Sequence, residues 1–367
     1  MFIEKIQKEI LLKPLQTVIG IVERKQPLPI LSNVLIEKSK SGIKFLATDL
    51  EIQISTETEF SSNQEQQSIT VAAKKLQEIL RVVPDNSNVS LDIQDSRLLV
   101  KVNKSRFTLQ TLPAQDFPKI TEQLVNSTKI ELEQKLLKKL LGAVQYAMAQ
   151  QDIRYYLNGV LLVIDGNYIK LIATDGHRLA FTSAQLDASY SKIEVILSRK
   201  TVNELFKLMS DTEGKINLEI AEKQVKISFS DVTLTSKVID GKFPDYERVI
   251  PNYTNHLTLD RLTILQALQR AAILSNEKFR GVRFVLTEKN MRIVSSNSEQ
   301  EEAQEDIENE YHGPALDIGF NVNYLLDGLS NTNSSEITFS FGDSNSSILI
   351  TVPGNDDFKY VVMPMRI

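Results

Sequence analysis

The sequence predicts an α+β protein built from three tandem, diverged copies of one unit, each combining helices with antiparallel sheet. Three observations carry this expectation. Two unrelated landmarks recur at one spacing: Ala47-Thr48-Asp49 and Ala173-Thr174-Asp175 stand 126 positions apart, and so do Phe117-Pro118 and Phe243-Pro244. Amphipathic helical patterns recur at matching places in all three copies. Each copy also contains a stretch of period-two alternation folded around a polar turn, the pattern of a β-hairpin.

Each unit opens on a segment whose apolar residues recur every three or four positions: IQKEILLKPLQTVIGIV (6–22), LEQKLLKKLLGAVQYAM (132–148) and LDRLTILQALQRAAIL (259–274). Strand-like runs follow, ILSNVLIEK, LNGVLLVID and GVRFVLTE. A shorter helix comes next, KKLQEILRVV (74–83), KTVNELFKLM (200–209) and NVNYLLDGLSN (321–331). Hairpins are expected in LDIQDSRLLVKV, LEIAEKQVKISF and around Gly342-Asp343-Ser344-Asn345. In the third copy VSSNSEQEEAQEDI, from Val294, takes the place of the Ala-Thr-Asp strand. Pro118 and Pro251 fall between units, where strand pairing is hard to continue, so boundaries are expected near 125 and 252.

Composition narrows the chemistry. The 367 residues are 42% hydrophobic, enough for more than one core. No cysteine is present, which excludes disulfides, thiolate metal sites and a cysteine nucleophile, and fits a reducing cytoplasm. No apolar run is long enough for a membrane helix, and the charged opening MFIEKIQKEILLKPL does not read as a signal peptide. Asp175, His177 and Arg178 could be a catalytic cluster, but there is no nucleophile elbow, and His177, His256 and His312 lack metal-helix spacing. The plainer reading is a tight turn after a strand, with Asp175 bonding nearby backbone; a turn lining a binding surface is a third possibility. No phosphate-binding loop occurs, and the acidic run 298–310 lacks the ligand order of a calcium loop, so no cofactor and no metal are expected. That run reads as a solvated edge strand. Net charge is −5, yet the helical segments 4–25, 72–83, 131–154, 198–209 and 260–280 each carry more Lys and Arg than Asp and Glu. Basic helices on an acidic body suit non-specific contact with phosphates.

The strings LPILSNVLIE (28–37), LATDLEI (46–52), RYYLNGVLL (154–162), ATDGHRLA (173–180), GKFPDYERVIP (241–251), AILSNEKFRGVRF (272–284) and YVVMPMRI (360–367) run from end to end of the chain. Together they resemble the β subunit of bacterial DNA polymerase III, the β sliding clamp family. The resemblance implies domains at 1–125, 126–252 and 253–367. It implies a head-to-tail homodimeric ring with helices lining a central hole and sheets outside. Double-stranded DNA would be encircled without sequence preference and a clamp-loader complex would open the ring. DNA polymerases, ligase and mismatch-repair proteins would dock through short peptides, with no catalysis by the clamp.

Residue by residue, the resemblance places a partner-peptide pocket at Leu157, Thr174, Gly176, His177, Arg178, Leu179, Pro244 and Val249 on one wall. Asn321, Tyr324, Val361, Met363, Pro364, Met365 and Arg366 form the other. Adaptable methionines suit a site with many partners, whereas the plain reading of Met363-Pro364-Met365 is a buried last strand. DNA contacts are expected from Arg24, Lys25, Gln151, Arg154, Tyr155, Tyr156, Lys200 and Arg248. A dimer seam is expected between Phe107 and Leu109 of one chain and Ile273 and Leu274 of the next. Glu299–Asp306 would pair there with Lys74, Lys75 and Arg81. Two other readings compete: a hydrolase using Asp175 and His177, and a monomeric scaffold that binds only proteins.

Overall fold

In the computed structural model, which describes residues 2–23, 28–61 and 66–366, the six expected helices are present. They are α1 (Lys8–Val18), α2 (Ala73–Val82), α3 (Gln134–Val144), α4 (Arg199–Leu208), α5 (Arg261–Ile273) and α6 (Val322–Ser330). The chain forms two compact units. One is Met1–Leu137 with Asn203–Val238; the other is Lys138–Val202 with Ile239–Ile367. All three crossings between the units therefore fall inside the second repeat. The sheets follow the units: a twelve-stranded antiparallel sheet belongs to the first, and a six-stranded and a four-stranded sheet belong to the second.

The first unit buries one stripe of α1, Leu11, Leu15 and Val18, at helical spacing. The stripe packs on the strands Gly42–Thr48 and Ile52–Glu59 and against α2. In the second unit α5 buries Ile264, Ala267, Leu268 and Ala271 and lies against α6. The Asp260 carboxylate caps α5 by accepting from the Thr263 N–H at 2.7 Å, and Asn321 caps α6 by accepting from the Asn323 N–H at 2.9 Å. The hairpins fall where alternation places them: Asn88–Gln94 with Arg97–Val102, Lys215–Ile220 with Gln224–Phe229, and Glu336–Phe341 with Ile348–Val352. The acidic strand Glu302–Glu308 is the edge of the four-stranded sheet, as its polarity suggests.

The repeat survives at the level of single bonds. In the first copy the Thr48 hydroxyl donates to Ile52 O (2.9 Å), while Asp49 accepts from the N–H groups of Glu51 and Ile52 (3.0 and 2.8 Å). In the second, Thr174 donates to Arg178 O (2.6 Å), and Asp175 accepts from the N–H groups of His177 and Arg178 (2.9 and 3.1 Å). The turn needs a left-handed residue: Leu50 has φ 79 and Gly176 has φ 90. The third copy builds a longer turn on Asn297, which accepts from Glu299 and Glu301, both at 3.0 Å, with Gln300 at φ 64. Strand pairing repeats as well. Ile52 faces Ser236 in the first unit and Arg178 faces Val362 in the second, both partners displaced by the same 126 positions.

The helical charge is not all available to phosphates. Lys8 is buried, donating to Val83 O (2.8 Å) and pairing with Asp85. Arg199 donates to Met148 O and Ala149 O, Arg261 to Ser334 O and Leu329 O, and Arg270 grips Glu305. These cations fasten the fold, because a carbonyl or carboxylate near a helix end captures a cation as readily as a phosphate does. The basic excess read from sequence therefore overstates the free positive charge.

Gly159 opens the long strand Gly159–Thr174, and a Cβ there would press into the backbone carbonyl of Leu197 on the paired strand. Gly159→Ala is expected to lower stability by about 2–4 kcal/mol, the range for a steric insertion that backbone must absorb. The urea midpoint, with the slope unchanged, measures it.

Candidate functional site

The ATDGHR turn sits at the end of strand Gly159–Thr174, and strand Arg178–Ser198 leaves it. The first residues of that second strand pair with the last strand of the chain, Asn355–Val362. Just past the pairing, the Met363 N–H donates to His177 O (2.9 Å), and the Met365 N–H donates to Gly319 O (2.8 Å). The tail Met363–Arg366 has therefore left the sheet. Met363 is 49% exposed, which rules out the buried-strand reading of that methionine.

Below the turn lies an apolar floor of Leu161, Val163, Ile172, Leu179, Phe181, Phe243 and Val361, with Tyr156, Tyr246, Ile250 and Leu349 packed against it. Leu157 and Thr174 are buried, Val249 is exposed, and Gly176, His177 and Pro244 are open to solvent. Phe181 stacks on Tyr246 at 5.9 Å. Burial, with Glu247 nearby, pushes the Tyr246 phenol up to about 12. This surface combines apolar area with a few polar groups, the composition of a peptide-docking site.

Its polar hub is Arg178. The Nε donates to Asp175 Oδ2 (3.1 Å), Nη1 to Asp327 Oδ2 (2.6 Å) and Nη2 to Tyr146 O (2.7 Å). The guanidinium lies 4.6 Å from the Tyr324 ring centroid and 5.8 Å from that of Tyr146. Tyr324 also stacks on His177 at 6.4 Å, and the Tyr360 hydroxyl donates to Tyr324 O (2.8 Å). Burial by itself would lower the Arg178 pKa, but the carboxylates of Asp327 and Asp175 outweigh it and hold the group more firmly protonated than a free arginine. Burial pushes the Tyr360 and Tyr146 phenols up, so both stay neutral.

The segment expected to touch DNA adjoins this site. Arg154 is already engaged: Nε and Nη2 bind the Asp152 carboxylate (3.0 and 2.8 Å), and Nη2 reaches Asp175 O (3.3 Å). A side chain at Gly176 would come within 3.0 Å of that guanidinium. Asn158 braces the loop from beneath, accepting from Asp152 N–H (3.0 Å) and donating to Asp152 O (2.9 Å). Gln151 adopts φ 55, Ile153 is 96% exposed, and Tyr155 is exposed while Tyr156 joins the apolar floor. Arg248 is exposed and paired with Asp245 (2.9 Å), and Lys200 stands half-buried in the first turn of α4. Arg24 and Lys25 lie outside the described residues.

Among the residues expected at a dimer seam, Lys75 and Arg81 are exposed on α2 and Lys74 is half-buried. Phe107 is half-buried, Leu109 buried, and Leu274 half-buried. Ile273 is 76% exposed at the end of α5, near exposed Phe279. The acidic stretch is partly consumed within the chain. Glu305 binds Arg270 through both oxygens (2.8 and 2.6 Å), and Asp306 binds Asn290 (2.6 Å) and Arg292 (2.9 Å). Those bonds hold the Glu305 carboxyl below its usual range and the Asp306 carboxyl near about 2. Glu301 is likewise engaged, accepting from Asn297 Nδ2 at 2.6 Å.

A chain of three repeated units, with a docking surface beside its C-terminal tail, matches one family from end to end. Family models for the DNA polymerase III beta subunit match its N-terminal domain at residues 1–121, its central domain at 131–245 and its C-terminal domain at 247–366. The beta sliding clamp of Pseudomonas putida is 44% identical over 99% of both chains, and that of Escherichia coli K12 is 39% identical over 99% of both. The crystal structure of the Pseudomonas aeruginosa DNA polymerase sliding clamp with ligand superposes at a TM-score of 0.95, with 42% identity over 99% of each chain. The chain belongs to the beta sliding clamp family, the processivity subunits of DNA polymerase III.

The Arg154 bonds hold the Asp152 carboxyl near about 2. Because the folded value is depressed, this bond's contribution to stability is complete above the ordinary Asp range of about 4 and is lost as pH falls toward 2. A carboxyl-resolved NMR titration should find Asp152 near 2, and raised in Arg154→Ala, where the side-chain bonds are gone and only the residue 154 N–H bond remains.

Proposed function

We propose that the chain works as a head-to-tail homodimeric ring that encircles duplex DNA and holds replication and repair proteins on it without chemistry of its own. The observation that carries this reading is the full-length likeness to sliding clamps. The benefit of such a ring is effective concentration: a tethered polymerase that lets go of the primer end rebinds it intramolecularly. Three domains with boundaries near 125 and 252 supply the ring's repeated unit. The protein acts in the cytoplasm, at replication forks.

Partners dock, in this reading, on the surface around Arg178. Its second-repeat wall comprises Leu157, Thr174, Gly176, His177, Leu179, Pro244 and Val249, and the other wall comprises Asn321, Tyr324, Val361 and the tail Met363–Arg366. A relative adds support, since a Pseudomonas aeruginosa DnaN sliding clamp has been crystallised bound to griselimycin. DNA polymerases, ligase and mismatch-repair proteins are the partners, and a clamp loader opens the ring. DNA contacts fall to Gln151, Tyr155, Lys200 and Arg248, together with Arg24 and Lys25. Arg154 contributes only where a phosphate displaces Asp152, a competition that salt weakens. The seam joins Phe107 and Leu109 to Ile273 and Leu274, so Ile273 is exposed only until the partner arrives.

Loaded onto nicked circular DNA, the protein is expected to remain through gel filtration and to be lost when the circle is cut. Equal loss from circles and linear DNA contradicts encirclement. Ile273→Glu places a charge in the apolar seam, and sedimentation should then find a 41.5 kDa monomer. An intact dimer would remove Ile273 from the seam.

A further inference from the structure

We infer that Met363 and Met365 form a peroxide-sensitive modification site, and that their oxidation to the sulfoxide weakens docking beside them. The inference rests on the docking reading above and adds to it a reversible chemical control.

The chain has six methionines and no cysteine, so thioethers are its only sulfur targets for an oxidant. An oxidant must reach the sulfur, and burial divides the methionines sharply. Met148, Met209 and Met291 are each 3% exposed or less, whereas Met363 is 49% exposed and Met365 is half-buried. Met1 lies outside the described residues. The backbone explains the contrast. The last strand ends at Val362, which is buried. The Met363 N–H is then bound to His177 O (2.9 Å) and the Met365 N–H to Gly319 O (2.8 Å). Between them Pro364 has no N–H with which to continue a ladder. Two anchors on either side of a proline fix this run of chain outside the sheet, so the Met363 thioether stays at the surface. The frame itself does not demand sulfur here. Counted 126 positions back, Lys237 takes the place of Met363 and Ile239 that of Met365. Lys237 makes the same backbone bond to its turn, with its Nζ paired to Glu51 at 3.2 Å. Of these two equivalent junctions, only the one at the docking surface carries oxidisable side chains.

A hydroperoxide is the oxidant class that fits. The thioether lone pair attacks one peroxide oxygen, and the S–O bond forms as the O–O bond breaks. Sulfur loses two electrons and the peroxide gains them. With hydrogen peroxide, the proton on the attacked oxygen passes to the departing hydroxide, which leaves as water. The product is a polar, chiral sulfoxide in place of a flexible apolar group. A ligand that covers it on an apolar surface strips water from the sulfoxide oxygen and offers no matching donor. Thiol-dependent methionine sulfoxide reductases reverse the step: two thiols close to a disulfide and the oxygen leaves as water.

The test uses the full-length protein, wild type and a Met363→Leu, Met365→Leu double variant, treated with dilute hydrogen peroxide. Mass mapping after trypsin reads oxygen uptake in the fragment 360–366, which holds both tail methionines, against the fragments holding Met148, Met209 and Met291. The tail fragment should be oxidised several-fold faster. Griselimycin affinity, measured by titration calorimetry, should fall roughly tenfold in the oxidised wild type, the cost of burying an unpaired polar group. It should return when both sulfoxide epimers are reduced enzymatically. Peroxide should leave the affinity of the double variant at its own untreated value. Equal oxidation of tail and buried methionines overturns the site. Tail oxidation with unchanged affinity, a loss that the reductases do not restore, or an equal loss in the double variant overturns the control of docking. Each of these leaves the docking reading standing. Untreated wild-type protein that binds no griselimycin overturns the docking reading, while the mass map still decides the oxidation site.

Discussion

The structure depends on antiparallel pairing between the last strand of one repeat and the strand that leaves the Thr-Asp turn of the repeat before it. In the first unit Val232–Lys237 lies along Ile52–Glu59; in the second Asn355–Val362 lies along Arg178–Thr182. The residue after the last paired position of each strand donates to the turn: Lys237 N–H to Glu51 O and Met363 N–H to His177 O, both at 2.9 Å. These backbone bonds are indifferent to side-chain identity, so two diverged copies can keep one frame while their surfaces drift apart.

That drift gives one junction polar fastenings and the other, the proposed docking surface, apolar ones. In the first unit Gln53 accepts from the Ile120 N–H (2.9 Å). Gln224 accepts from the Gln123 N–H (2.8 Å) and donates to Thr121 O (3.1 Å), and Lys119 pairs with Glu37 while Lys226 pairs with Glu122. Segment 119–123 is strapped down over a small apolar cluster of Leu35, Leu46 and Phe117. At the position 126 further on, Gln53 becomes Leu179 and Ile120 becomes Tyr246. A leucine side chain cannot accept a hydrogen bond, so the second linker instead packs Tyr246 and Ile250 against a larger apolar cluster. The same frame is fastened by polar side chains once and by apolar packing once.

Much of this was legible in the sequence. Periodicity placed all six helices, alternation placed the hairpins, and Asp175 holds its turn as a local backbone acceptor. The Phe-Pro landmark at 243–244 even marked part of the apolar floor. Pairings across great sequence distance were not legible: Arg178 with Asp327, Tyr146 under the guanidinium, Phe181 on Tyr246. Nothing local distinguishes a lysine bound for solvent from one such as Lys8 that a distant Val83 carbonyl will bury, so counting charges along helices overestimated the free cations. Arg154 shows the same limit in its reach to Asp175 O, 21 positions away, while its bonds to Asp152 are local.

The claim that repetition builds the frame while divergence opens a single docking site is tested most directly by stoichiometry. Titrating griselimycin into the full-length protein should give one bound molecule per chain, lost when the receptive junction is altered by Leu179→Gln but retained in Gln53→Ala. Two molecules per chain in the wild type, or loss of binding in Gln53→Ala instead, would contradict it.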